Sequence, residues 1–231
     1  SNVYIHYPYC ATRCPYCDFF KTTADEDSAY WGALKQELTR WRDFVESPLE
    51  TIYFGGGTPG RMAPDRCAEV LDHCEDLWGM TPRCEVTLEM NPGDAEASVL
   101  AAFAAAGVNR LSIGVQSLRD AELELLGRRH RSAESWAAVA ASRRAGLTNL
   151  SLDLIFGLPG QTMEHLEESL QGLADLKPDH VSLYGLSFEP GTDFGRALEE
   201  GRMTPLDRDL WLAMYDRVCG WATGTMEFEQ Y

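Results

Sequence analysis

The sequence predicts an α/β protein in which repeated right-handed crossovers join parallel strands, either as an α/β barrel, open or closed, or as a doubly wound sheet. Three observations carry this. Strand-like runs recur at residues 3–7, 51–54, 85–89, 110–114, 150–156 and 181–184, with helical stretches between them. Gly107 and Gly146 stand where helix C-caps belong. The residues unusual for a scaffold follow the strands, and in a parallel barrel all such strand ends share one face.

Each element has its own warrant. The opening run VYIHY is rich in β-branched and aromatic residues and stops at Pro8. The first helix carries Tyr30, Trp31, Leu34, Leu38, Trp41 and Val45 on one face, and the second carries Cys67, Val70, Leu71, Cys74 and Trp78. A later helix opens on Thr162 as N-cap and buries Leu166, Leu170, Leu173 and Leu176. Trp211, Met214, Tyr215, Val218 and Cys219 recur at helical spacing, and the chain ends on the strand-like MEFEQY. No internal repeat or low-complexity segment competes with this plan.

Composition excludes several classes. The chain has 231 residues, enough for one large domain, and 45% of them are hydrophobic. Its net charge of −16 opposes a nucleic-acid partner, which would need basic patches. No apolar run approaches a membrane span and no signal pattern opens the chain, so the cytoplasm is expected. Seven cysteines do not make a disulfide framework, and free thiols agree with a reducing compartment. The chain does not begin with Met, so a trimmed chain lacking a downstream C-terminal domain is expected.

The densest chemistry is the run HYPYCATRCPYCDFF, with Cys10, Cys14 and Cys17 inside eight residues. Pro8 and Pro15 disfavour a continuous helix, so the thiolates sit on a loop able to wrap one centre. Structural zinc needs a fourth ligand, with only His6 and Asp18 near in sequence. A four-iron cluster held by three thiolates keeps one iron open. Spacing ranks cluster first, zinc second and inert core cysteines third. After the second strand comes GGGTP at 55–59, which lacks the pattern of a P-loop or a dinucleotide fingerprint. Alone it reads as a tight turn, although its glycines allow close backbone approach. By itself Glu89 is an ordinary strand-end carboxylate and Gln116 an ordinary polar turn residue, while Asp153 lies within the fifth strand.

The cysteine spacing C-x-x-x-C-x-x-C, with Tyr16 before the last cysteine, resembles the signature of radical S-adenosylmethionine (SAM) proteins. EMNPGD, RLSIGVQSL, LGRRH, DLIFGLPGQT and EPGT are similar to segments of the branch that holds oxygen-independent coproporphyrinogen III oxidases and HemW-type haem chaperones. The resemblance implies a partial (β/α)6 TIM-like barrel over residues 1–231. It implies a 4Fe-4S cluster on Cys10, Cys14 and Cys17, with SAM chelated at the open iron and cleaved to a 5′-deoxyadenosyl radical. Gly56, Gly57 and Thr58 would meet the methionine amino group, and Tyr4, Glu89, Gln116, Arg128 and Asp153 would contact SAM. Haem would be bound as cargo or, on the oxidase alternative, a porphyrinogen would be the substrate. Haem-acceptor proteins and an electron donor such as flavodoxin or ferredoxin would be partners.

The branch's oxidases carry a further cysteine two positions after the third ligand, where this chain has Phe19, as in the HemW-like group. The chaperone reading therefore leads, with the oxidase and a radical methyltransferase as alternatives and a zinc-stabilised domain as the bland one. His6 is expected to be structural. An anionic porphyrin would need local positive charge, and GRRHR at 127–131 is the candidate. Arg129 and Arg131 read equally well as a solvated loop.

Overall fold

In the computed structural model, which describes residues 1–230, six parallel strands form one sheet in the order β1-β2-β3-β4-β5-β6. The strands are β1 (Asn2–Tyr7), β2 (Leu49–Gly56), β3 (Met80–Met90), β4 (Arg110–Gln116), β5 (Asn149–Phe156) and β6 (His180–Gly185). The intervening helices are α1 (Ser28–Arg40), α2 (Pro64–Trp78), α3 (Ala97–Ala106), α4 (Asp120–Leu125), α5 (Ser132–Arg144) and α6 (Met163–Leu176); α7 (Asp193–Glu199) and α8 (Arg208–Gly220) follow the last strand. The strictly sequential order settles the choice left by the sequence. A doubly wound sheet must reverse its strand order, whereas an order that never reverses keeps every right-handed crossover on one face and curls the sheet into an open barrel.

Strand alternation divides the sheet chemically. Ile5, Ile52, Phe54, Val86, Leu88, Leu111, Ile113, Leu150, Leu152 and Leu154 face the helices in one continuous apolar core. The alternate positions are polar. Parallel register sets Tyr4 beside Tyr53, Tyr53 beside Thr87, Glu89 beside Ser112, Ser112 beside Ser151 and Asp153 beside Ser182. A closed barrel fills its interior with branched apolar side chains. This interior is lined for polar contact instead.

The helices follow their expected faces except at the end of α1 and in α8, where Met214 and Val218 are buried but Tyr215 is exposed and stacks on Trp211. Cys67, Val70, Leu71, Cys74 and Trp78 are all buried, as are Leu166, Leu170, Leu173 and Leu176. Thr162 caps α6 by accepting from the His165 amide. Helix α1, however, stops at Arg40, so Trp41 and Val45 lie beyond it. The Trp41 amide closes the helix on the carbonyls of Glu37, Leu38 and Thr39 as the chain turns toward β2. Trp41 stays half exposed with its ring on Phe44, while Val45 still packs on the core. The terminal strand expected over MEFEQY does not form at residues 226–230, and Tyr231 lies outside the described residues.

Candidate functional site

The cysteine loop is pinned at its base. The Cys10 amide donates to the Thr22 carbonyl (2.8 Å) and the Thr22 amide to the Pro8 carbonyl (2.8 Å), closing residues 10–22 into a loop at the end of β1. Inside it the Cys17 amide turns back on the Cys14 carbonyl (3.2 Å). The Lys21 ammonium donates to the Cys17 carbonyl (2.6 Å), and the Phe194 amide of α7 to the Pro15 carbonyl (2.9 Å). His6 contributes as a strut, one ring nitrogen at 2.8 Å from the Phe20 carbonyl and the other at 3.1 Å from the Tyr4 hydroxyl. That is the structural role expected of it.

The glycine-rich segment is fitted against this loop. The Gly57 amide donates to the Tyr7 carbonyl (2.7 Å) and the Thr58 amide to the Tyr9 carbonyl (3.0 Å). A Cβ on Gly57 would stand 2.7 Å from the Pro8 carbonyl carbon, and one on Gly56, whose φ is 111°, would strike the His6 ring at 2.6 Å. Both positions therefore require glycine for packing before any ligand is considered. Thr58 is buried and its hydroxyl lies 3.6 Å from the Cys10 sulfur. Burial pushes the Cys10 thiol up, and the Thr58 bond opposes that by favouring the thiolate.

Glu89 ends β3 beside these glycines. One carboxylate oxygen accepts from the Tyr53 hydroxyl (2.8 Å) and the other from the Gly56 amide (3.0 Å). Burial raises its pKa, with those two bonds acting in the opposite direction. Tyr4 stacks on Tyr53 with ring centroids 5.9 Å apart and is itself exposed. Deeper along β5, Asp153 accepts from the Ser112 hydroxyl (3.2 Å), and its carboxyl is pushed up to about 6, first by burial and further by Glu89.

Arg128 joins the glycine and cysteine sides. Its guanidinium donates to the Cys14 sulfur (3.5 Å), the Tyr16 hydroxyl (3.4 Å), the Gly114 carbonyl (3.1 Å) and Asn91 Oδ1. Gln116 lies nearby, since a Cβ on Gly114 would meet both its amide nitrogen (2.9 Å) and the Arg128 guanidinium (3.4 Å). The rest of GRRHR is divided. His130 is buried, bonds the Val115 carbonyl (3.1 Å) and is pushed down to about 4, first by burial and then by Arg128. Arg131 is exposed and faces Asp120 at 3.9 Å. Arg129 lines a depression of about 360 Å³ with Arg61, Tyr9 and Cys10.

All eleven residues singled out in the sequence thus belong to the end of the open barrel where the strands terminate or to the polar lining just inside it. Sequence reasoning missed two partners, Tyr53 and Ser112. Tyr53 and Ser112 carried a signal, because each is an inward position in the same alternation as Glu89 and Asp153. Asn91, directly after the third strand, stands with the other strand-end residues as expected, and its partner there is Arg128.

Among the described residues, no three His, Cys, Asp or Glu side chains crowd round a point as a single ion demands. A four-iron cube bonds each thiolate to a different iron, so its donors stand farther apart. The donor set fits such a cluster: three sulfurs on one pinned loop, with the Thr58 hydroxyl against one and the Arg128 guanidinium against another, hydrogen-bond partners of the kind that orient metal-binding thiolates.

A family model described as the radical SAM superfamily matches residues 4–173, and the chain belongs to that superfamily, which implies a 4Fe-4S cluster and SAM. It is 41% identical over 218 residues to the mitochondrial radical S-adenosyl methionine domain-containing protein 1 of Bos taurus, covering 93% of this chain and 49% of that protein. It is 37% identical over 222 residues to the heme chaperone HemW of Bacillus subtilis, covering 94% and 59% respectively. Coproporphyrinogen III oxidase (HemN) from Escherichia coli, a radical SAM enzyme, superposes with a TM-score of 0.83 at 25% identity over 96% of this chain and 52% of that one. The chain spans about half the length of these relatives. No described helix is long and apolar enough to cross a membrane.

Proposed function

We propose that this chain is the cluster- and SAM-binding core of a HemW-type protein that binds haem and delivers it to acceptor proteins. The observation carrying this reading is the similarity to HemW across nearly the whole chain, together with Phe19 at the position where the oxidases have a further cysteine. Cys10, Cys14 and Cys17 would bond three irons and leave the fourth open to the amino and carboxylate groups of SAM. Bound there, cluster and SAM supply one-electron cleavage of a sulfonium bond.

The chain's own residues bind and orient. Gly56, Gly57 and Thr58 bring backbone carbonyls within reach of an ammonium group. Glu89, held by Tyr53 and Gly56, offers a fixed carboxylate beside them. Arg128 can pair a carboxylate bidentately, Asp153 can accept from ribose hydroxyls, and Tyr4 and Gln116 close the sides. An electron donor such as flavodoxin or ferredoxin would reduce the cluster. The free thiols suit a reducing compartment, the cytoplasm on this reading.

The oxidase is the second reading, favoured by the structural match to HemN. An oxidase must hold each propionate in near-attack geometry, whereas a carrier needs affinity without turnover. The full-length protein, reconstituted anaerobically, reduced and given SAM, is expected to bind haem and to leave coproporphyrinogen III unchanged. Mass spectrometry decides between them. SAM-dependent loss of two carboxyl groups as carbon dioxide would overturn the carrier and establish the oxidase.

A further inference from the structure

Gln116 sits where β4 leaves its ladder. Between Ile113 and Gln116 the pairing with β5 shifts by one residue, the mark of a bulge. There the Ser117 amide donates to the Val115 carbonyl (2.8 Å) around a Gln116 φ of 64°. This is a γ-turn with a positive central angle, the rare and strained form, occupied by a residue with a full side chain. Such a conformation persists only where its surroundings over-determine it.

Those surroundings are a buried polar chain. Ser117 is fully buried; its hydroxyl donates to Glu122 Oε2 (2.6 Å) and accepts from the Arg119 amide (3.0 Å). Glu122, also buried, accepts at its other oxygen from the Gln161 side-chain amide (3.1 Å). The Gln161 carbonyl oxygen then accepts from the amides of Gly157 (2.7 Å) and Leu158 (3.3 Å). The links run from the turn after β4 to the GLPGQ loop after β5. An apolar side chain at Glu122 would fill the space without desolvating a carboxylate, but it could not tie these two loops by directed bonds.

We infer that Ser117, Glu122 and Gln161 form a relay that holds Gln116 in its strained turn and aims its amide into the site, making Glu122 a positioning residue for SAM. The inference rests on the reading of Gln116 as a SAM contact. Glu122→Gln keeps the shape but mismatches donors and acceptors within the relay, and Ser117→Ala removes one hydroxyl and guards against a misfolded first variant.

The test uses anaerobically reconstituted full-length protein, SAM titration followed by the cluster's electron paramagnetic resonance spectrum, and the same substitutions made on a Gln116→Ala background. Each relay variant should weaken SAM binding about tenfold alone, the size of one well-made bond to a charged group, and less than about twofold once Gln116 is already alanine. Equal losses on both backgrounds, or a lowered melting temperature with unchanged SAM affinity, would overturn the relay while leaving Gln116 as a contact. If Gln116→Ala alone does not change SAM affinity, the contact reading fails and the relay with it.

Discussion

Arg128 owes its placement to acceptors on three separated segments: the cysteine loop, Asn91 after β3 and the Gly114 carbonyl of β4. Replacing it with alanine removes a cation from beside Cys14 and from the proposed carboxylate contact. SAM binding should weaken by about 1.5–3 kcal/mol, and a titration followed by the cluster's spectrum measures it; unchanged affinity would reject the contact. Asp153 gives a prediction in pH. Its carboxyl loses a proton near 3.8 in the unfolded chain and near 6 in the folded one, chiefly because burial penalises the charge. The folded protein therefore holds the extra proton between those values, and stability falls as pH rises through that window. Above it the ionised group costs no more than about 3 kcal/mol. Asp153→Asn should raise the melting temperature at pH 7 and leave it nearly unchanged at pH 4. The same variant should weaken SAM binding if the carboxylate accepts from ribose. A stability difference that did not depend on pH would refute the assigned shift.

At the scale of elements, the site is two loops locked backbone to backbone. A Cβ at Gly57 meets the Pro8 carbonyl, which cannot rotate away as a side-chain tip could. Gly57→Ala should therefore displace the base of the cysteine loop, and iron and sulfide analysis after reconstitution should show cluster loss with helix content unchanged by circular dichroism. Gly79→Ala is the control: its φ is 68° but its Cβ would stand in open space, so it should cost about 1–2 kcal/mol of stability and no iron. Full cluster loading in Gly57→Ala would show that the loop is not held this way. The same elements show what the sequence made legible. All six strands were readable because their apolar runs end at glycine or proline or within a few residues of one, and α2 and α6 because their apolar residues keep helical spacing. The end of α1 was not readable, since Trp41 continues the spacing while the backbone has already turned. Nor was the γ-turn at Gln116, because a bulge is a mismatch between two strands and leaves no mark on either alone. Tyr53 escaped because its importance lies in a partner distant in sequence, Glu89, and Asn91, legible as a strand-end residue, gave no sign there that its partner is Arg128.

For the whole molecule, the sheet separates two environments: an apolar layer under the helices and a polar lining open at the strand ends. The proposed SAM contacts come from β1, β2, β3, β4, the segment after α4, and β5, so a ligand there would touch nearly every crossover of the fold. Binding of that kind stabilises the native state as a unit, because unfolding any one strand would remove part of the site. At a free SAM concentration of 100 times the dissociation constant the gain is about 2.7 kcal/mol. For a domain of this size that should raise the melting temperature by about 5–11 °C. Anaerobic calorimetry on cluster-loaded protein, across a range of SAM concentrations, should show the midpoint climbing with the logarithm of concentration. Cys14→Ser protein should show little or no climb, because without the cluster the amino and carboxylate groups of SAM lose their iron while only the side-chain contacts remain. An equal shift in both proteins would mean that SAM is held without the cluster, and the thiolate loop would then need another role.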